Sequence, residues 1–368
     1  MIKIKESIKK NIKYILNVLF IILIGWLTFR LLFAGQETSE IVHELKRADK
    51  RWLALGMFFV FLFVACESVI IKYMLHLFKE KIPFHWCLKY SFIGFFFSCI
   101  TPSSSGGQPA QMYYMKKDGI KIGYSSLIML VIAVVYKAVQ VFLGILLFCL
   151  KYSFVKEHVG KLMWLLIVGF ALNIAYIFLL LFVCFKPLWA RKIGIKVVNR
   201  LTCWKIVKEK SNEKFVNKIT RICDNYIQGT EYMKENIHSV VNITFITLIQ
   251  RMFLLMVTWI VYKAYGLSGT SFWEIIAIQV MIGIAVEMLP LPGAVGVTEG
   301  CFIGMFKAIF TPALVKSAML LSRGLSFYAL LIMSAAVTFA AHILVFRKEK
   351  KIKNGEKSDN NTQERIGE

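Results

Sequence analysis

Two apolar stretches of this chain, residues 88–117 and 273–310, are each broken in the middle by proline and glycine. The first break reads Ile100-Thr101-Pro102-Ser103-Ser104-Ser105-Gly106-Gly107-Gln108-Pro109. The second reads Leu289-Pro290-Leu291-Pro292-Gly293-Ala294-Val295-Gly296-Val297-Thr298-Glu299-Gly300. Backbone at such a break gives up helical hydrogen bonds, and lipid offers none in return. The breaks must therefore be enclosed by protein or line a wet cavity. One interrupted segment per half of a membrane protein is the pattern of a transport site near the bilayer midplane.

The 368 residues are 57% hydrophobic and 14% aromatic, with mean hydropathy +0.62. A soluble domain of this size is far more polar, so the chain reads as an all-α polytopic membrane protein. Its formal charge is +23. The basic residues flank apolar spans, which points to cytoplasmic loops facing anionic lipid and away from nucleic acid as a partner. Cys66, Cys87, Cys99, Cys149, Cys184, Cys203, Cys223 and Cys301 form no CxxC pair. They read as small buried hydrophobes, with no zinc site and no disulfide framework. The run Tyr14 to Phe33 is too long for a signal-peptide core and reads as a retained span.

Runs long enough to span a bilayer fall near 14–34, 52–75, 123–150, 161–185, 239–262 and 313–346. Lys3, Lys5, Lys9, Lys10 and Lys13 place the N-terminus in the cytoplasm, and Arg347, Lys348, Lys350, Lys351 and Lys353 do the same for the C-terminus. The loop 35–51 carries four basic and four acidic residues and suits the outside. Lys72, Lys79, Lys81 and Lys89 precede the first break, and Lys116, Lys117 and Lys121 follow it, so 88–117 is expected to enter and leave on the cytoplasmic side. The second broken segment then enters and leaves from outside. About six full spans and two re-entrant hairpins result, in inverted halves 14–150 and 161–346, with a tail 347–368 expected to be disordered. Full crossing by both broken segments would make eight spans instead. Within 186–238 there are twelve basic and five acidic residues. There Trp189, Ile193, Val197, Val198, Leu201 and Trp204 recur at near-helical spacing, as in a helix lying on the inner leaflet or, alternatively, in a solvated connection.

Ionisable residues inside the apolar spans should pair or face water. They are Glu67, Lys137, Arg251, Glu287, Glu299, Lys307 and Arg323, of which Arg251 and Lys307 are placed to snorkel to an interface. Half-helices starting after Gly107 and Gly296 would aim N-terminal N–H groups inward. Pro109 suits a first turn, and Thr298 is a candidate cap. Such termini, with Lys137 and Arg323, favour an anion such as a phospholipid headgroup, while Glu67, Glu287 and Glu299 could balance the cations or hold an amine. The competing reading of a pair such as Glu299–Arg323 is that it only holds helices together. No HExxH, GxSxG, GxxxxGK[ST] or GxGxxG motif occurs, and Ser103, Ser104 and Ser105 have no nearby His to activate them. No catalytic residue, metal or cofactor is expected.

The first break, followed by Lys116-Lys117-Asp118-Gly119-Ile120, resembles the first motif of the lysylphosphatidylglycerol synthase transmembrane family. The second break resembles that family's Pro- and Gly-rich turn ending in Glu. Arg323 looks like its intramembrane arginine, and the resemblance covers roughly residues 10–346. The family includes the flippase-type domain of the multiple peptide resistance factor, which accompanies a separate lysyltransferase domain and confers antibiotic resistance. The resemblance implies a flippase-like domain over 1–346 that binds or translocates phospholipid in a bacterial plasma membrane. The implied site is Pro102, Ser103, Gly106, Gly107, Gln108, Pro109, Pro290, Pro292, Gly293, Gly296, Glu299 and Arg323, to which the reading of intramembrane charges adds Lys137 and Glu67. The tail after Phe346 has no room for an acyltransferase-like domain, so the expectation is an incomplete enzyme. The alternatives are a phosphatidylglycerol lysyltransferase, or its membrane subunit working with a separate synthase partner, and a non-transporting scaffold. A homo-oligomer stays open.

Overall fold

The computed structural model describes residues 38–203, 212, 213, 215–217, 219, 220 and 237–343. The expected first span, most of the basic segment after Cys203 and the tail 347–368, with the terminal charges used for orientation, lie outside these residues. Among the described residues the regular structure is helical, and the β-type pairing is a single antiparallel bridge between Pro102 and Pro292.

Helix α1 (Thr38–Arg47) precedes α2 (Lys50–Leu77), which is capped by Asp49 accepting from the Arg51 N–H at 2.8 Å. A first helical hairpin follows, α3 (Phe84–Cys99) and α4 (Gly107–Lys117), then α5 (Ile122–Leu150). Helices α6 (Tyr152–Val159), α7 (Met163–Phe185) and α8 (Pro187–Cys203) lead to the second half. There α9 (Ile237–Ala264) is followed by a second hairpin, α10 (Phe272–Val286) and α11 (Val297–Phe306). Helix α12 (Val315–Arg323) closes the bundle, passing through a π-helical segment, Gly324–Ala329, and continuing to Ile343.

Among the described residues five helices are long and apolar enough to cross a membrane: α2, α5, Tyr152–Phe182, α9 and Val315–Ile343. A bilayer core needs about 20 apolar residues, and these run from 27 to 31. The chain is a polytopic membrane protein. Helix α5 is the most enclosed, with 67% of its apolar window buried, against 22% for Tyr152–Phe182. The latter turns Trp164, Ile167 and Phe178 outward, which costs nothing where the surroundings are hydrocarbon.

Helices α2 and α9 pack antiparallel along their length. Trp52 meets Trp259, Phe59 meets Phe253, and the Gln250 amide donates to the Phe63 carbonyl at 3.2 Å. At one end the Asp49 N–H donates to the Ala264 carbonyl at 2.9 Å. At the other, the Tyr73 hydroxyl meets Ser239 and Asn242. This pairing fixes where the two hairpins enter. The first opens at the C-terminal end of α2, where Asp118 accepts from Lys89 Nζ at 2.5 Å and from the Tyr90 hydroxyl at 2.7 Å. Residues at the start of α3 and just past the end of α4 thus lie side by side. The second opens at the opposite end, where Phe272 packs on Trp259, Tyr262 packs on Phe310, and Lys151 pairs with Glu274 at 3.2 Å. Element order α2–α3–α4–α5 therefore repeats as α9–α10–α11–α12 with opposite direction, and the hairpin tips meet inside the bundle.

Within the first hairpin the helices touch because Gly107 has no side chain. A Cβ there would lie 2.6 Å from the Gly94 carbonyl and would overlap the Ser98 hydroxyl. Helix α10 is apolar all round and buried nearly throughout, which is what a helix enclosed by others requires. Helix α7 approaches it through Gly169, whose neighbour Asn173 donates to the Ile284 carbonyl at 3.2 Å.

Candidate functional site

The two tips have the same backbone form. In the first, Ser104 N–H donates to the Thr101 carbonyl and Ser105 N–H to the Pro102 carbonyl. In the second, Ala294 N–H donates to the Leu291 carbonyl and Val295 N–H to the Pro292 carbonyl. The left-handed residues also correspond, Ser103 and Ser104 (φ 50° and 55°) with Gly293 and Ala294 (φ 59° and 48°). Three of these four carry a side chain, and each such placement costs about 1–3 kcal/mol unless its surroundings impose it. The Pro102–Pro292 bridge and the Ser103 hydroxyl donating to the Leu289 carbonyl at 3.2 Å supply that constraint.

The tips differ in how they cap the helix that follows. The Gly106 N–H donates to the Thr101 hydroxyl at 2.8 Å, whereas the Gly296 N–H donates to Glu299 Oε2 at 2.6 Å. Thr298, the candidate cap, sits inside α11 and donates its hydroxyl to the Ala294 carbonyl, so that expectation is corrected. A carboxylate from one turn further on reaches back better than a hydroxyl already inside the helix. The positive end of α11 is thus occupied by the chain's own anion. The other oxygen of Glu299 accepts from Arg323 Nε at 2.9 Å, and Arg323 also donates to the Gly293 carbonyl at 3.0 Å and stacks on Phe327. Arg323 therefore ties α12 to the second tip.

Around and beneath the tips lies a cavity of about 680 Å³. Among the described residues five charged side chains line it: Glu67, Lys137, Arg251, Glu287 and Arg323. Glu287 is shared between Lys137 Nζ at 2.9 Å and the Arg251 guanidinium at 3.6 Å. Lys137 also donates to the Asn173 side-chain carbonyl at 3.2 Å, and Arg251 stacks on the Tyr136 ring while donating to its hydroxyl. Glu67 accepts from Gln111 Nε2 at 2.6 Å and makes no ion pair among the described residues. Gln140 is 2% exposed and lines the same wall, yet neither amide atom has a hydrogen-bond partner. It lies near enough to the Glu287 carboxylate to interact electrostatically, but the geometry of a hydrogen bond is not reached.

Of the residues singled out from sequence, Glu67, Ser103, Gln108, Lys137, Gly293 and Arg323 line the cavity. Pro102, Gly106, Gly107, Pro109, Pro290, Pro292, Gly296 and Glu299 shape the tips behind it. Arg251 is the second correction: only a tenth exposed, it points into the cavity and does not snorkel. It lies on α9 beside Gln250, so its depth is set by helix pairing that the sequence does not display. Tyr136, Gln140 and Gln279 carry no charge signal, being neutral polar residues in apolar helices, and were not singled out from sequence. Among the described residues no group of three or more His, Cys, Asp or Glu is placed to hold a metal.

Long apolar helices enclosing two helical hairpins that meet tip to tip over a charged cavity define a class, the all-helical multi-pass membrane proteins. The chain belongs to the family described as the lysylphosphatidylglycerol synthase TM region, which it matches over residues 14–334. No curated protein matches it.

Proposed function

We propose that the cavity receives the headgroup of a phospholipid and that the chain carries this lipid between leaflets. Lysyl-phosphatidylglycerol or a related phosphodiester lipid is the cargo the family's description favours. The observation that carries the reading is the Lys137–Glu287–Arg251 cluster on the cavity wall, two cations sharing one carboxylate. A phosphate would compete with Glu287 for both cations through charge-assisted hydrogen bonds. A volume of about 680 Å³ suits a headgroup, since small-molecule sites run from about 300 to 1,000 Å³. On this reading the hairpins are re-entrant, entering from opposite leaflets, with the basic end around Lys116–Lys121 in the cytoplasm of a bacterial cell. Helix α8 lies on the inner leaflet, its exposed Trp189, Ile193 and Val197 in the acyl region and Lys192 and Lys196 at the headgroups.

The word synthase in the family's description favours a second reading, the membrane part of a lysyltransferase working with a partner subunit. The test uses the purified chain in liposomes holding fluorescent phosphatidylglycerol or lysyl-phosphatidylglycerol, with leaflet exchange read by dithionite quenching. Exchange faster than in protein-free vesicles, and slowed in folded Lys137→Gln, is expected. Exchange no faster than in protein-free vesicles for either lipid refutes transport. Lysyl-phosphatidylglycerol made from phosphatidylglycerol and lysyl-tRNA by the same preparation favours the second reading.

A further inference from the structure

The charges around the cavity balance in a particular way. Lys137, Arg251 and Arg323 are the cations, and Glu67, Glu287 and Glu299 the acids. Glu299 is used up by Arg323 and by the Gly296 N–H. Glu287 is used up by two cations at once, which leaves one positive charge in excess at that cluster. The balancing negative charge belongs to Glu67. That residue is 7% exposed, two-thirds of the way along α2, and it lines the same cavity. The groups that hydrogen-bond to it are neutral amides, Gln111 at 2.6 Å and the neighbouring Gln250, and no cation stands within ion-pairing distance among the described residues.

Every element around Glu67 can be checked for groups that would alter this. Helix α3 presents Ser98 and Cys99 to the cavity, and α4 presents Gln108 and Gln111. Helix α5 presents Tyr136 and Lys137, α7 presents Tyr176, α9 presents Arg251, and α10 presents Glu287. The last helix presents Arg323, with Tyr328 behind it beside the Glu299–Arg323 pair. Among the described residues the titratable neighbours are therefore phenols, one thiol, cations already held by other carboxylates, and Glu287, which is itself paired with two of those cations. Glu67 is the acid whose charge no fixed partner compensates.

A buried carboxylate in that position exchanges its charge most readily by taking a proton. We infer that Glu67 is the proton site of this cavity, and that it takes up one proton for each singly charged phosphodiester headgroup that enters. The inference rests on the lipid-carrying reading above and narrows its cargo to the related phosphodiester lipids of net charge −1, such as phosphatidylglycerol, in place of lysyl-phosphatidylglycerol. With Glu67 ionised the cavity is neutral overall. With Glu67 protonated it carries one net positive charge, and a headgroup phosphate of charge −1 restores neutrality. The loaded cavity can then rearrange inside the membrane without moving net charge through hydrocarbon. On the far side the proton leaves the carboxyl for water, the excess positive charge disappears, and the phosphate loses its counter-charge. The cargo is thus a lipid whose headgroup has one net negative charge, carried together with a proton. A headgroup of net positive charge, such as lysyl-phosphatidylglycerol, gains nothing from protonated Glu67.

Two experiments on the full chain test this. In the first, short-chain fluorescent phosphatidylglycerol is moved across reconstituted liposomes at a series of pH values and read by albumin back-extraction. Vesicles loaded with a pH dye report proton movement at the same time. Wild type should transport more slowly as pH rises, by about tenfold per pH unit beyond the midpoint of a single-proton step, and the lumen should acidify as lipid enters. Glu67→Gln, which keeps the amide contact with Gln111, should show a flat pH profile and no acidification, and Glu67→Asp should restore the slope. A Glu67→Gln profile as steep as wild type overturns the inference, as does lipid entry without protons. If wild type moves no lipid at any pH, the transport reading fails. The proton site is then judged by the second experiment, infrared titration of purified protein in nanodiscs. A protonated-carboxyl band that rises as pH falls and is missing in Glu67→Gln supports it. Superimposable wild-type and Glu67→Gln spectra overturn it.

Discussion

Removing Arg323 strands a carboxylate. Glu299 and Arg323 side chains are 4% and 12% exposed and meet at 2.9 Å, so water screens the pair little. At that distance the gross attraction is about 6 kcal/mol for an effective permittivity of about 20. Most of this offsets desolvation, but truncating one partner leaves the other charge buried, which costs about 3–5 kcal/mol. Arg323→Ala also removes the donor to the Gly293 carbonyl and the cover over Phe327. Glu299→Gln keeps an oxygen that can accept from the Gly296 N–H. The double variant Glu299→Gln/Arg323→Ala buries no unpaired charge. Its destabilisation should therefore fall short of the sum of the two single ones by about 2 kcal/mol or more. The assay is equilibrium unfolding of the four proteins in one detergent. Additivity to within about 0.5 kcal/mol would refute the claim that the pair is locked and desolvated.

Three further outcomes follow from the same geometry. Asp118→Ala should loosen the open end of the first hairpin and cost about 1–3 kcal/mol of stability, with the swap Lys89→Asp/Asp118→Lys recovering part of it in the same unfolding assay. Gln140→Leu should leave thermal stability unchanged or raise it, because neither amide atom has a bond to lose, while transport of fluorescent lipid falls. Single cysteines placed at Gly119 and Ser268, in a background without other cysteines, should react with an impermeant maleimide from opposite faces of sealed vesicles. Labelling of both from one face would contradict the opposed hairpins.

What could be read without coordinates was the alternation of apolar runs with charge, and the two places where the helix must stop. Pro102, Pro290 and Pro292 cannot continue a helical ladder, and Gly106, Gly293 and Gly296 permit turns, so the breaks are local chemistry. The opposed direction of the halves also followed from counting spans and basic loops. Asp118 was visible only as part of a motif, and its service as the latch of the first hairpin needed Lys89 and Tyr90 beside it.

The partnership of charges is a different matter. The sequence by itself determined that this chain lives in a membrane, where its helices break, and which residues carry charge into an apolar setting, because each of these depends on a residue and its near neighbours. Only the tertiary structure decided that Glu287 serves two cations, that Glu299 caps its own helix, that Arg251 faces inward and that Glu67 faces none of the cations directly. Those facts depend on α2, α5, α9, α10 and α12 converging from distant parts of the chain. In a low-dielectric interior, a few ångströms decide whether a charge is paired or exposed to exchange.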